Sequence, residues 1–234
     1  MRVTRLHSWQ LTVPQALEWQ NRLSPQVSQR NHISPPRFIA GVDIAAGKRR
    51  ETATGAVVVL SYPELRIVET KLVRGSLGFP YIPGLLSFRE SPLTLAACES
   101  LSIIPDLILV DGQGMAHPRR FGFACHLGLF LDTPTIGCAK SLLCGRYEEP
   151  GAEPGSSASI MEQDETIGVA LRTRAGTKPV YVSIGHKVDL GTARHWVLAC
   201  CRGYRIPEPL RLAHLAAGGK LNEERTTIGH EMDG

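Results

Sequence analysis

Phe38-Ile39-Ala40-Gly41-Val42-Asp43-Ile44 is the stretch on which the reading of the fold turns. It is apolar and partly β-branched around one carboxylate, so it reads as a strand. Alternation along a strand sends Asp43 to the face opposite Val42 and Ile44. An unpaired carboxylate is costly to bury. Asp43 is therefore either satisfied by backbone donors at a strand end or kept there for chemistry. Downstream, residues 54–61 and 66–73 are two more strand-like runs joined by Tyr62-Pro63-Glu64-Leu65. So short a turn makes the three an antiparallel meander. Upstream, residues 14–30 are expected as an amphipathic helix, with Thr12 as its cap and Pro14 in its first turn.

Beyond the meander comes a loop at 78–84, then a helix at 92–102 with Ser91 as cap and Pro92 in first position. Asp106-Leu107-Ile108-Leu109-Val110 is a nearly continuous apolar run, as suits a strand covered on both faces. A helix is expected at 120–131, a short strand at 135–138 and an exposed loop at 148–157. Strands near 166–172 and 179–184 follow, then a last helix at 189–202. Strands alternating with helices after residue 90 imply parallel pairing through crossovers. The expected fold is thus α/β: a ribonuclease H-like mixed sheet, with a three-strand antiparallel meander followed by parallel strands, flanked by helices. It forms one domain over residues 1–218, and residues 219–234 are expected as a flexible C-terminal tail.

The bulk numbers are compatible with that fold. A chain of 234 residues can bury a core without disulfide or structural metal. Hydrophobic residues make up 43% and charged residues 21%, as in a soluble globular protein. No apolar run has transmembrane length, and residues 1–8 lack the apolar core of a secretory signal, so a cytoplasmic monomer with no membrane partner is expected. The six cysteines contain no Cys-x-x-Cys pair and no zinc-finger spacing, and read as free thiols. Net charge is +4, which permits nucleic-acid binding without demanding it. Basic residues cluster at Lys48-Arg49-Arg50, Arg119-Arg120, Arg172-Thr173-Arg174 and over 202–211. These are either solvated charges or a phosphate-binding face.

Two more acids join Asp43. Asp111 ends the 106–110 strand and opens Asp111-Gly112-Gln113-Gly114. Open α/β sheets place ligands at such strand ends, and Gly112 and Gly114 let the backbone approach a bound group. Asp-Gly is equally an ordinary turn pair. Glu90, just ahead of the expected helix, either complements the helix dipole or completes the acid set. If the first strand and the 106–110 strand are neighbours, Asp43 and Asp111 converge, and converging carboxylates repel unless a cation or protons neutralise them. Oxygen-only ligands favour Mg²⁺ or Mn²⁺ over zinc. One such ion, or two about 3.5–4 Å apart, supports phosphodiester hydrolysis.

Several segments resemble the endonuclease V family. They are Phe38-Ile39-Ala40-Gly41-Val42-Asp43; Pro80-Tyr81-Ile82-Pro83-Gly84-Leu85-Leu86-Ser87-Phe88-Arg89-Glu90; Val110-Asp111-Gly112-Gln113-Gly114-Met115-Ala116-His117-Pro118-Arg119-Arg120-Phe121-Gly122; Ile136-Gly137-Cys138-Ala139-Lys140; Ser183-Ile184-Gly185-His186-Lys187; and Tyr204-Arg205-Ile206-Pro207-Glu208-Pro209. The resemblance implies a ribonuclease H-like DNA-repair endonuclease. It would use Mg²⁺, with Mn²⁺ as substitute, to cut the second phosphodiester bond 3′ to a deoxyinosine. The substrate would be damaged double- or single-stranded DNA, and the ends 3′-hydroxyl and 5′-phosphate. Asp43, Glu90 and Asp111 match the family's metal-centred carboxylates, Lys140 its active-site lysine, and His214 a position where it uses His or Asp. Pro80, Tyr81, Ile82 and Pro83 match the wedge that enters the duplex beside the lesion. Gly112 and Gly114 are then placed to face a flipped base, and His117, Arg119 and Arg120 to meet phosphates, unless Arg119 or Arg120 only caps the sheet. Residues 45–50 lack the aromatic side chain expected after the first acid, and 148–178 match loosely. Three other readings remain: an endoribonuclease for inosine in RNA, a non-catalytic nucleic-acid-binding module, and a nucleotide-binding enzyme built on Gly112-Gln113-Gly114.

Overall fold

The computed structural model describes residues 1–47 and 52–221. The basic cluster Lys48-Arg49-Arg50 and most of the predicted tail, from residue 222, lie outside the described residues. The described elements are α1 (Val13–Leu23), β1 (Phe38–Ala46), β2 (Thr52–Ser61), β3 (Ile67–Ser76), α2 (Leu86–Glu99), β4 (Leu107–Val110), α3 (Phe123–Leu131), β5 (Thr135–Ala139), β6 (Ser157–Glu162), β7 (Glu165–Leu171), β8 (Val180–His186), α4 (Leu190–Ala199) and α5 (Glu208–Ala217).

All eight strands form one sheet in the order β3-β2-β1-β4-β5-β8-β7-β6. β1, β2 and β3 are the expected antiparallel meander. β4 lies parallel to β1, and β5 parallel to β4, which completes a ribonuclease H-like arrangement. The expected parallel pairing stops there. β8 runs antiparallel to β5, and β6 and β7 add antiparallel strands beyond it. Parallel neighbours need a long crossover, whereas β6 and β7 are joined by a tight turn in which Gln163 and Asp164 both take positive φ.

Strand alternation divides the core in two. Ala40, Val42, Val57, Val59, Ile108 and Val110 face α2 and α3. Ile39, Ala56, Val58, Leu60, Leu107 and Leu109 share the opposite core with Leu210, Leu212 and Ala213 of α5. α1 is shorter than its periodicity suggests, because Pro25 falls in a 3₁₀ turn over Ser24–Gln26. α2 begins well before the predicted position, so Pro92 and Ser91 lie inside the helix rather than at its start. Burial of Ser87, Phe88 and Ser91 against the body outweighs the proline's lost donor. β6 and α5 were not anticipated as a strand and a helix.

Free cysteines match expectation: burial pushes the Cys98, Cys125 and Cys200 thiols up to about 12, where they are inert. Among the described residues no helix is long and apolar enough to cross a membrane.

Two glycines permit the close contacts that set the active end of the sheet. A Cβ on Gly41 of β1 would lie 2.1 Å from the Pro209 carbonyl oxygen at the start of α5. A Cβ on Gly137 of β5 would lie 2.4 Å from Gly114 N, under the loop after β4. Backbone contacts of this kind cannot be relieved by rotating a side chain. Gly41→Ala is expected to destabilise the protein by about 1–3 kcal/mol or more. In urea denaturation the midpoint should fall with little change in slope.

Candidate active site

The register that pairs β1 with β4 sets Val42 beside Val110. Asp43 and Asp111, one residue further along, therefore emerge at the same end of the sheet, and Asp111 N–H donates to Val42 O at 3.2 Å. Asp43 is only 8% exposed. Its Oδ1 accepts the Ile44 N–H at 2.8 Å, and its Oδ2 accepts Nδ1–H of His214 at 2.7 Å. α5 supplies that histidine, whose side chain remains 64% exposed. Lys140, just past β5, forms an ion pair with Asp111. Arg205 donates to the carbonyls of Lys140 at 2.7 Å, Pro179 at 2.8 Å and Lys178 at 2.9 Å, and so fixes the chain where Lys140 leaves the strand.

Glu90 joins from α2, inside the helix rather than ahead of it. Burial, with Asp43 and Asp111 adding to it, pushes Glu90 up to about 7, and Arg89 opposes the rise. Burial also raises Asp43, reinforced by Asp111 and countered by His214, the Ile44 N–H and Lys140. The three acids thus share one field. Burial works to lower Lys140, but the charge and hydrogen bond of Asp111, with Asp43, outweigh it and raise it. The lysine stays cationic. Among the described residues no three His, Cys, Asp or Glu side chains are gathered closely enough to enclose an ion; Asp43 and Asp111 are instead held by His214 and Lys140. Three carboxylates and no thiolate nonetheless make a donor set suited to a hard divalent cation.

A cleft of about 380 Å³ opens beside this centre, bordered by Tyr81, Glu90, Asp111, Gly112, Lys140 and Leu142. Tyr81 is 67% exposed, and it also borders a second cleft of about 330 Å³ with Ile44, Leu77 and Glu90. Pro80 and Pro83 are exposed with it, while Ile82 packs against the cluster of Ala16, Phe79, Leu85 and Phe88 and anchors the loop. The Gly84 carbonyl, just after that loop, accepts from Gln20 at 2.8 Å, His117 at 2.9 Å and Arg119 at 3.0 Å.

That clamp gives residues 117–120, which the sequence offers as phosphate contacts, partners within the protein. His117 is buried, and burial pushes it down to about 4, so it is a neutral ring braced on Gly84. Arg119 is shared between Gly84 and Gln20. Arg120 is held by Glu162 at 2.6 Å and Glu165 at 2.7 Å, and ties the β6–β7 hairpin to the loop after β4. Gly114 is a packing residue rather than a cleft residue: a Cβ there would meet the Ile184 carbonyl at 2.0 Å, and its N–H goes to Ser183 Oγ. Gly112 does line the cleft. Other basic residues are also engaged within the protein. Arg172 binds Glu149 and the carbonyls of Pro150 and Gly151, and Arg211 pairs with Glu208. Ser141, Leu142 and Leu143 were missed by sequence reasoning; they run on directly from Lys140, with Leu143 41% exposed at the cleft, and that adjacency was the available signal.

The family profile for endonuclease V matches residues 21–215. The chain belongs to the endonuclease V family. It is 49% identical over 217 residues to endonuclease V of Dehalococcoides mccartyi, covering 93% of this chain and 97% of that one. The crystal structure of endonuclease V from Streptomyces avermitilis superposes with a TM-score of 0.87 at 42% identity, covering 96% of this chain and 99% of that one. Endonuclease V of Ciona intestinalis, solved in complex with a 24mer DNA containing an inosine followed by a ribo-adenosine, matches at 32% identity and a TM-score of 0.77, covering 89% and 98%. The protein is accordingly a nuclease, a hydrolase of phosphodiester bonds, and endonuclease V nucleases are metal-dependent.

Raising Glu90 from 4.5 to about 7 has a consequence for stability. In metal-free protein the unfolded chain ionises first as pH climbs, so this residue's contribution is fullest below 4.5, declines as pH rises to about 7, and is then flat. Glu90→Gln should remove that decline. At pH 8 in chelator the variant is expected to be more stable than the parent by on the order of 2 kcal/mol, allowing for partial solvent contact. Urea denaturation of both proteins from pH 4 to 8 checks this.

Proposed function

We propose that this protein is a DNA-repair endonuclease that hydrolyses the second phosphodiester bond 3′ to deoxyinosine and related deaminated bases, leaving 3′-hydroxyl and 5′-phosphate ends, with Mg²⁺ as its metal. The observation that carries the reading is the meeting of Asp43, Glu90, Asp111 and Lys140 beside a cleft bordered by exposed Tyr81. The inosine-containing DNA bound by the Ciona relative supports it.

Asp43, Asp111 and Glu90 would hold the ion, and Mn²⁺ suits the same oxygen donors. When bound, the metal lowers the pKa of water and stabilises charge on the phosphate oxygens. The chain's own groups do the rest. Lys140 carries a persistent positive charge that can stabilise charge growing on the phosphate. His214, with Nδ1 committed to Asp43, keeps Nε2 as its second exchange site on an exposed ring. Tyr81, fixed between Pro80 and Pro83 and anchored through Ile82, replaces the stacking lost when a base leaves the helix. Extrusion is cheapest for a poorly paired base such as hypoxanthine. Gly112 offers a low wall on which that base can rest. The enzyme works as a monomer on duplex or single-stranded DNA.

The test is a labelled duplex with a single deoxyinosine, incubated with protein and Mg²⁺. A nick one nucleotide beyond the lesion is expected; no nick with Mg²⁺ or Mn²⁺ overturns the proposal, and preference for the matched inosine-containing RNA transfers it to RNA. Asp43→Ala and Asp111→Ala should abolish cutting while DNA binding persists. Lys140→Ala should slow it by about 10²–10³-fold. Tyr81→Ala should reduce discrimination between inosine and undamaged duplex, read as the ratio of kcat/KM values, without altering metal affinity.

A further inference from the structure

Behind the cleft lies a chain of hydrogen bonds that the proposed chemistry does not use. His126 of α3 is fully buried, yet both ring nitrogens have partners. Nδ1 is 3.0 Å from Ser87 Oγ, and Nε2 is 2.8 Å from Nε2 of His7. Nδ1 of His7 is 2.8 Å from the Ser8 carbonyl oxygen. His7 belongs to the N-terminal segment, which is tied to the body by the Met1 amino group on the carbonyls of Cys98 and Glu99 and by Thr4 N–H on Phe130 O. The rings of Trp9, Phe88 and Phe130 pack around both imidazoles.

This network admits one arrangement of protons for neutral rings. A carbonyl only accepts, so His7 carries its proton on Nδ1 and presents a lone pair at Nε2. His126 must then carry its proton on Nε2 and present a lone pair at Nδ1, and Ser87 must donate. Burial depresses both histidines, and His7 lowers His126 further, which keeps the rings neutral. Donation therefore runs from Ser87 to His126 to His7 to Ser8.

Ser87 is the second residue of α2, three before Glu90, and it lines the same cleft. We propose that His126 is a positioning residue for the nuclease centre: with its proton on Nε2, a tautomer set by His7, it pins Ser87 and thereby the end of α2 that carries Glu90. The inference rests on Glu90 acting in the cutting centre. His126 itself touches neither metal nor substrate. The buried ring is satisfied at both nitrogens only while the N-terminal segment is docked, so that segment is part of what holds the catalytic helix in place.

Nitrogen-15 NMR of the imidazole rings in the wild-type protein tests the tautomer without any substitution. His126 protonated on Nε2 and bare on Nδ1 is expected; the opposite tautomer, or a cationic ring at neutral pH, overturns the proposal. Kinetics at saturating Mg²⁺ test the positioning. His126→Phe keeps the ring but removes the acceptor for Ser87, and should lower kcat about tenfold or more with KM within about twofold. His126→Asn restores an acceptor near the Nδ1 position and should recover most of kcat. His7→Phe should disturb the His126 tautomer in the NMR spectrum. Equal kcat losses in the Phe and Asn variants, or a loss confined to KM, would show a space-filling histidine instead. Absence of inosine cleavage by the wild type would overturn the functional reading, and the ring spectrum would still decide the tautomer.

Discussion

Asp43 and Asp111 leave the sheet side by side because β1 and β4 run parallel with Val42 opposite Val110. Two carboxylates placed so close repel, and burial sharpens the repulsion by removing water. Most of the surrounding structure answers that constraint. Lys140 is brought up by β5, the next parallel strand, and Arg205 fixes the chain at that residue. His214 is brought down by α5, which reaches β1 only because Gly41 has no side chain. The third acid, Glu90, is raised to about 7 by its burial, with Asp43 and Asp111 adding to it. Crowded carboxylates of this kind are a donor set chemically suited to a hard divalent cation.

The second organising feature is a single carbonyl. Gly84 O draws donors from α1, through Gln20, and from the loop after β4, through His117 and Arg119. Three donors on one oxygen brace the junction between the Pro80-Tyr81-Ile82-Pro83 segment and α2. His117 and Arg119, which read as phosphate contacts in the sequence, take part in that bracing. Arg120 plays a parallel part in the loop after β4, where its ion pairs with Glu162 and Glu165 fasten the edge hairpin. His126 and His7 extend the bracing to the back of α2.

Much of this was legible in the chain. The meander, the apolar strand before Asp111 and the family resemblance located the acids, Lys140, His214 and the Tyr81 loop. Local pattern was weaker where packing overrode it. Pro92 marked a helix start by propensity, yet α2 runs through it because Ser87, Phe88 and Ser91 bury together. The β6–β7 hairpin was half-read, since β6 has few buried positions to signal a strand. α5 went unrecognised as a helix, although Pro209 in its first turn suits a helix start.

By itself the sequence determined the residue types and many of the local elements: which segments extend, which acids end apolar strands, and which loop carries an aromatic between prolines. Those properties depend on neighbours along the chain, through periodicity and turn chemistry. Only the tertiary structure decided which polar groups are free. Arg119, Arg120 and Arg172 look alike in sequence to phosphate-binding residues, but each finds protein acceptors far away in the chain. Gly114 looks like a ligand-facing glycine, but Ile184 lies against it. A hydrogen bond or a close approach is made in three dimensions between distant residues, and no local pattern records who the partner is.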